Sequence, residues 1–360
     1  METFALRPAI YFGDDALSAL EALAGKRVLI VTDDFLAHKS GLLPRVTAHL
    51  KGALTEVFSK VTPDPSLRLV AEGVRALRDF SPDAVLAFGG GSPMDCAKAM
   101  RHFSDRPGLL FYAVPTTAGT GSEVTSFAVL TDTDAGVKYP LVDDALLPDA
   151  AILDASLLAG VPGPVTADTG MDVLTHASEA YVARKANAFT DALAERAFVL
   201  AYENLIKAHA AKGEHPAKEQ MLLASCMAGI AFNGAGLGAN HALAHSLGGR
   251  YHTPHGRLNA MLMPHVIRFN AEEPAAAKKY AALAKACGLA PNARALSSAL
   301  GRLRQSLGMP GRLTDCGVER KTVLADLEAI TAAAVADVCM PGNPRSAAAA
   351  ELAAIVREVL

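Results

Sequence analysis

The stretch AVLAFGGGSPMD, residues 84 to 95, constrains the fold more than any other. AVLAF is continuously apolar with no polar alternation, so a strand built from it is buried on both faces, as strands are inside a parallel sheet covered by helices. Three glycines follow, which let the backbone approach a ligand closely. Next come Ser92 and Pro93, with the proline read as the first position of a helix through PMDCAKAM. A strand–glycine–helix turn of this kind presents free N–H groups to an anion. It is neither the GxGxxG fingerprint nor a Walker A loop. Three glycines at a strand end also serve as a plain tight turn, but a strand before and a helix after favour a phosphate site at Gly90, Gly91 and Ser92.

The surrounding chain repeats the pattern. RVLIVTD at 27 to 33 is a second doubly buried strand, followed by a helix over 43–51, an apolar run over 54–58 and a helix over 67–79. LLFYAVP then opens into TTAGTGSEVT, residues 116 to 125, where Thr116, Thr117, Thr120 and Ser122 offer hydroxyls. Two donor-rich glycine loops at successive strand ends fit a dinucleotide crevice better than chance turns. Asp33 closes the first strand, where a carboxylate accepts both ribose hydroxyls and repels a 2′-phosphate, favouring NAD over NADP. Its neighbour Asp34 reads instead as a helix cap. FAVLTDTDAGVKYPLV reads as a hairpin turning at TDAG, with DAAILD after it.

VPGPV at 161 to 165 punctuates the chain, and beyond it the strand signal nearly vanishes into Ala/Leu-rich helical text. The expected organisation is an α/β domain over 1–161, a parallel sheet flanked by helices that binds a dinucleotide, followed by an all-α metal-binding domain over 162–360. A length of 360 residues suits two domains.

The helical half carries the other candidate site. Asp172 and His176 stand four apart, so on a helix they share a face. His241 and His245 repeat that spacing on a second helix, expected to end at Gly248 and Gly249 as left-handed caps. His255 follows Pro254 and is expected on a stiff connector ahead of a helix over 258–269. A carboxylate with imidazoles suits Fe, Zn, Ni or Mn, and no cysteine nearby in the sequence suggests a thiolate zinc site. Spacing alone leaves open which of His241 and His245 is the ligand. Glu179, one turn past His176, reads either as an ordinary helix-face carboxylate or as a group that orients a ligand. His252 and His265 are expected near the cluster but not as ligands, and the remaining histidines as surface or cap residues.

Composition narrows the partners. With 34 Lys and Arg against 37 Asp and Glu, net charge is −3, so no basic excess invites nucleic acid or an anionic membrane. The N-terminal METFALRPAIYFG lacks a signal-peptide core, and no apolar run reaches about 18 residues. Five cysteines without CxxC spacing fit free thiols in a reducing compartment. The expectation is a cytoplasmic protein.

GGGSPMDCAK, PTTAGTGSEVT, ADTGMDVLTHASEAY and NHALAHSLGGRYHTPHGRLNAMLMPHVIRFN, in this order, resemble the iron-containing, group III alcohol dehydrogenases over nearly the whole chain. KYPLVDDALLPDAAILD, NAFTDALAE, AAKKYAALAKACG and a terminal NPR resemble in particular the 1-propanol dehydrogenases of propanediol-utilising microcompartments. The resemblance implies that Asp172, His176, His241 and His255 hold the metal, Fe2+ or alternatively Zn2+, and that His245 lies beside it without binding it; an imidazole there reads either as a proton relay to solvent or as a packing residue. It also implies that Gly90, Gly91 and Ser92 hold the pyrophosphate of NAD(H), that Thr116, Thr117 and Thr120 line the cofactor, and that Asp33 and Lys138 contact it. Phe127 stands where some relatives carry an asparagine near the nicotinamide. The implied activity is interconversion of short primary alcohols and aldehydes, such as propanal and 1-propanol. The alternatives are a polyol, lactaldehyde or ethanol dehydrogenase, a dehydroquinate-synthase-like lyase, or a binding protein without turnover. A homodimer, and enclosure in a microcompartment with shell or companion enzymes, are further implications.

Overall fold

In the computed structural model, residues 4–133 and 137–360 are described, without the side chains of Val137 and Lys138. The chain divides into two compact units, Met1–Gly160 and Val161–Leu360. The first runs β1 (Ala9–Phe12), β2 (Arg27–Asp33), α1 (Asp34–His38), α2 (Leu43–Thr47), β3 (Leu54–Val61), α3 (Leu67–Phe80), β4 (Ala84–Gly89), α4 (Gly91–Phe103), β5 (Leu110–Pro115), β6 (Phe127–Asp132), β7 (Val137–Val142) and β8 (Ala150–Leu153).

Six strands form one sheet in the order β1-β8-β5-β4-β2-β3, and every neighbouring pair is parallel. The apolar runs that predicted doubly buried strands lie inside it: β4 is buried at every position and β2 at every position from Val28 to Thr32. On one side Val70, Val74, Leu77 and Phe80 of α3 and Met94, Ala97 and Met100 of α4 pack on Leu29, Val31, Val85 and Phe111. Each of these side chains larger than alanine contributes roughly 1.5–3 kcal/mol by leaving water. The strand order reverses at β2, with β3 on one side and β4 on the other, and at such a point the loops leaving the carboxyl ends diverge to open a crevice. Asp33 ends β2 and the three glycines end β4. β6 and β7 form a separate antiparallel ribbon, Phe127 opposite Val142. Residues 134–136 of the expected TDAG turn lie outside the described residues.

In this first unit two helix boundaries differ from expectation. α2 stops at Thr47 rather than continuing to Lys51, ahead of a turn that Gly52 closes at φ 71°. α4 begins at Gly91, with Gly90 as its cap, so Pro93 is the third helical residue and not the first. The N–H groups opening the helix are therefore those of the glycines and Ser92.

The second unit is helical: α5 (Gly163–Val182), α6 (Ala188–Ala210), α7 (Pro216–Ala235), α8 (Ala239–Tyr251), α9 (His255–Asn270), α10 (Pro274–Ala286), α11 (Ala293–Ser306), α12 (Arg320–Ala325), α13 (Leu327–Ala336) and α14 (Ala349–Glu358). α5 is buried at every position from Gly170 to Val182, the condition of a helix at the centre of a bundle. Leu243, Leu247, Leu258, Met261, Leu262, Ile330, Leu352 and Val356 join α8, α9, α13 and α14 in one core. α8 does not stop at Gly248 and Gly249, which lie inside it. It continues to Tyr251 and is capped by His252 in the left-handed region at φ 52°. The chain must leave the helix there because Thr253 precedes a proline, and a residue in that position is steered away from helical angles. His255, in turn, is the first residue of α9 and not part of a connector. Gly256 beside it is forced: a Cβ would sit 2.0 Å from the carbonyl oxygen of Asp168 on α5. No single helix among the described residues is long and apolar enough to cross a membrane.

Candidate functional site

In the first unit the two glycine loops interlock. The Thr116 N–H donates to Gly89 O at 3.0 Å. A Cβ on Gly90 would stand 3.2 Å from Thr117 Oγ1, and one on Gly91 3.0 Å from Thr120 Cγ2. Gly90, Gly91, Ser92, Thr116, Thr117 and Thr120 are thus brought together where α4 presents its N-terminus, an anion-binding arrangement. Asp33 itself, rather than Asp34, is the helix cap: its Oδ1 accepts from the Leu36 N–H at 2.9 Å, while Asp34 pairs with Lys39. Phe127 opens β6, and its carbonyl accepts from Lys98 Nζ at 2.7 Å. The Lys138 side chain lies outside the described residues.

In the second unit the two four-residue pairs and His255 converge. Donor atoms of Asp172, His241 and His255 all lie within 4.8 Å of one another. His176 stacks on His241, with ring centroids 4.6 Å apart, and on Phe232 at 4.5 Å. His245 is adjacent: its ring stacks on His255 with centroids 5.2 Å apart, and its Nδ1 donates to Asp337 Oδ2 at 2.9 Å. His252 is a helix cap, and His265 accepts from Arg268 instead of joining the cluster. His215 caps α7.

Tautomers and charges are set from behind. Glu179, read from the sequence as more ordinary than functional, is buried and orients a candidate ligand: His241 Nδ1 donates to its Oε2 at 2.5 Å. The Asn240 N–H donates to its Oε1 at 2.7 Å. In neutral His241 the lone pair is then on Nε2, 3.6 Å from Asp172 Oδ1. Burial disfavours charge on Asp172, but the imidazoles of His176, His255 and His241 outweigh it and hold its carboxyl far below the usual range. Burial pushes His255 down to about 3, against the pull of Asp172, so its lone pair is available. Burial alone would lower His241, yet Glu179 and Asp172 raise it to about 9, so a proton competes with any cation for that nitrogen.

Asn259 tests whether this set fits a cation. Its Nδ2 lies 2.6 Å from Asp172 Oδ1, 3.1 Å from His255 Nε2 and 3.2 Å from His241 Nε2. Its Oδ1 is held by Asn240 Nδ2 at 2.8 Å, which fixes the amino group toward the cluster. With His241 neutral, three acceptors converge on a group with two hydrogens, and the place left over is the one that a proton on His241 or a cation fills. Lone pairs aimed at one point in excess of the available protons are what a divalent cation satisfies, and an imidazole–carboxylate set suits Fe, Zn, Ni or Mn.

Comparison with known proteins agrees. Residues 8–155 match the model described as iron-containing alcohol dehydrogenase, and residues 166–360 match the C-terminal model of the Fe-containing alcohol dehydrogenase family. The chain belongs to the iron-containing alcohol dehydrogenase family. It is 45% identical over 371 residues, covering 100% of both chains, to a 1-propanol dehydrogenase of Salmonella typhimurium. Its fold superposes on a 1,3-propanediol oxidoreductase with TM-score 0.93 and 36% identity, covering 100% of each chain. A sulfoacetaldehyde reductase from Bifidobacterium kashiwanohense, solved in complex with NAD+, matches with TM-score 0.90 and 27% identity over 100% of this chain and 98% of that one. As a member of the iron-containing family the chain is an oxidoreductase, and its Asp172, His241 and His255 form a candidate metal site.

Four polar residues of the dehydrogenase's cluster were not singled out from its sequence: Asn240, Asn259, Asp337 and Cys339. Asn259 stands four residues after His255 on one helix, a spacing that could have found it. Asp337 and Cys339 come from the far end of the chain, and Cys339 puts a thiol beside His245 that local sequence did not suggest.

Proposed function

We propose that the enzyme interconverts short primary alcohols and aldehydes, propanal and 1-propanol among them, with NADH and NAD+. The observation that carries this reading is the convergence of Asp172, His241 and His255 on one point, with His176 stacked against it. In this reading residues 1–161 form the cofactor domain and 162–360 the metal domain. Asp172, His176, His241 and His255 hold the metal; Gly90, Gly91 and Ser92 take the pyrophosphate; Thr116, Thr117, Thr120, Asp33 and Lys138 contact the remaining cofactor. When bound, the cation supplies Lewis acidity toward the alcohol oxygen and the nicotinamide exchanges the hydride.

The chain's own residues do the rest. Asp172 supplies a buried negative charge, and Glu179 fixes His241 with its Nε2 lone pair free. Asn240 fixes Asn259, whose amino group lies against the ligand atoms. His245 gives its Nδ1 proton to the hydrogen bond with Asp337, so Nε2 is the nitrogen left to take the alcohol's proton and pass it to solvent. The free Oδ2 of Asp33 would accept from the adenosine ribose and disfavour a 2′-phosphate. From the same family resemblance we read the enzyme as cytoplasmic, enclosed in a microcompartment and assembled as a homodimer.

The test is oxidation of NADH, with NADPH in parallel, by a panel of two- to five-carbon aldehydes. It is run on anaerobically purified protein, on the chelated protein, and after ferrous ion is returned. Activity should vanish on chelation and come back with iron; indifference to the chelator would sink the reading.

A further inference from the structure

We propose that His245, Asp337 and Cys339 form a second cation site, selective for thiophilic divalent ions such as Zn2+ or Cd2+, at which binding shuts the enzyme off. Three kinds of donor meet here from two parts of the helical unit: an imidazole on α8, and a carboxylate and a thiol just beyond α13. Their donor atoms all lie within 4.8 Å of one another. The closest pair, His245 Nδ1 and Asp337 Oδ2, is 2.9 Å apart. With metal–nitrogen and metal–oxygen bonds of about 2.0–2.2 Å and metal–sulfur of about 2.3 Å, neighbouring ligand atoms of a tetrahedral ion stand roughly 3.4–3.6 Å apart. The observed spacings bracket that value, so an ion needs shifts of the side chains and not of the helices.

The group is already half organised. The Cys339 N–H donates to Asp337 Oδ1 at 2.8 Å, which turns Oδ2 toward His245. The Cys339 Sγ lies within 4.8 Å of the same carboxylate, which already takes the His245 proton where a cation would stand. Cys339 is 8% exposed, while the His245 side chain is 33% exposed and leaves a way in.

Ligand chemistry separates this site from its neighbour. The Asp172 cluster offers nitrogen and oxygen only, whereas a sulfur donor draws borderline and soft ions and gives little to Mg2+ or Mn2+. Burial and the charges of Asp337 and Glu179 hold the thiol well above its ordinary range, so loading must displace a proton. The balance is simple: the thiol proton goes to solvent, the imidazole proton moves from Nδ1 to Nε2 through water, and the ion takes Nδ1, Oδ2 and Sγ. With Nε2 protonated and the ring stacked on His255 held in place, His245 can no longer accept a proton, a consequence that rests on the functional reading above.

The experiment adds Cd2+ to anaerobic, iron-loaded enzyme and follows the ultraviolet thiolate-to-cadmium charge-transfer band, the iron released on filtration, and the rate of NADH-dependent aldehyde reduction. Expected are a band saturating at one Cd2+ per chain, loss of rate in step with the band, and iron retained. Cys339→Ser should lose the band. Its half-inhibition should move to higher Cd2+ by at least the about 10–100-fold that losing an outer partner of a metal costs. Should Cys339→Ser not fold, Asp337→Asn must weaken the band by a similar factor. A band that survives Cys339→Ser, equal inhibition of variant and parent, or iron released in step with inhibition would each overturn the site. The band is read without turnover, so a failure of the proposed reaction would leave this result standing by itself.

Discussion

The two units bury charge in opposite ways. In the α/β unit Lys98 is fully buried, and three acceptors surround its ammonium: Phe127 O at 2.7 Å, Ser122 Oγ at 2.8 Å and Thr125 Oγ1 at 3.2 Å. Burial lowers it to about 8, with Asp95 and Glu123 pulling the other way. Three hydrogens meet three acceptors, and the set is complete. In the helical unit the ratio is inverted once His241 is neutral: Asp172, His241 and His255 then aim three acceptors at the two hydrogens of Asn259, and a proton or a cation must make up the difference. Both places concentrate buried ionisable groups, so burial of charge does not by itself mark a binding site. Imbalance between donors and acceptors does. Lys98 braces α4 against the segment that follows the threonine loop; the Asp172 cluster has the donor set that the proposed metal would take.

Removing an acceptor from the unbalanced set should have the largest effect. Asp172→Asn keeps the shape and removes the charge. Iron content after anaerobic loading, measured by elemental analysis, should fall to a small fraction of an equivalent and take aldehyde reduction with it. Stoichiometric iron in that variant would break the comparison. Disturbing orientation should cost less. Glu179→Gln still accepts one hydrogen bond but no longer favours the His241 tautomer electrostatically, and metal affinity should drop about 10–100-fold. Competition against a chromophoric chelator reads this, with unchanged helical circular dichroism as the control.

How much of this could be read from the chain alone follows the same physics. The strands at 27–33 and 84–89 were legible because burial on both faces leaves an unbroken apolar run. The Asp172–His176 and His241–His245 pairs were legible because helical periodicity is local. The end of α8 was misread at Gly248 and Gly249: glycine permits a left-handed cap but does not require one, and Leu247 and Leu258 pack the helix through it until Thr253 and Pro254 force an exit. Glu179 and His241 are 62 residues apart, and His245 and Asp337 are 92 apart. No local pattern announces such partners; only the packing of α5, α8 and the turn after α13 creates them.

In the balanced set the expected effects are smaller. Lys98→Met fills the same space and leaves three acceptors without their donor, each costing on the order of 1–3 kcal/mol where water cannot reach it. The melting temperature should fall, and KM for NADH should rise as the loop carrying Thr116, Thr117 and Thr120 loosens. Iron content and kcat at saturating cofactor should stay close to the parent's. Loss of iron instead would show that the two clusters are not independent.

The smallest effect should come from Glu123, where the completeness of the Lys98 set meets its limit. Glu123 is 3% exposed, and its Oε1 has no hydrogen-bond partner among the described residues. Burial raises its carboxyl from the ordinary 4.5 to about 7, with a backbone hydrogen bond and Lys98 opposing. Between those values the folded chain keeps a proton that the unfolded chain has lost. This stabilisation is therefore full below pH 4.5 and disappears as pH rises through about 7, roughly 3 kcal/mol at most. Lys98 acts with the opposite sign higher up: lowered by burial from 10.5 to about 8, it gives stability back as pH rises from 8 toward 10.5. Glu123→Gln cannot ionise and removes the first of these slopes. Relative to the parent, its melting temperature should climb by several degrees between about pH 5 and pH 7.5. A difference that stays flat with pH would mean that Glu123 is ionised beside Lys98 throughout, and that the α/β unit, too, is held together by paired charges rather than by neutral hydrogen bonds.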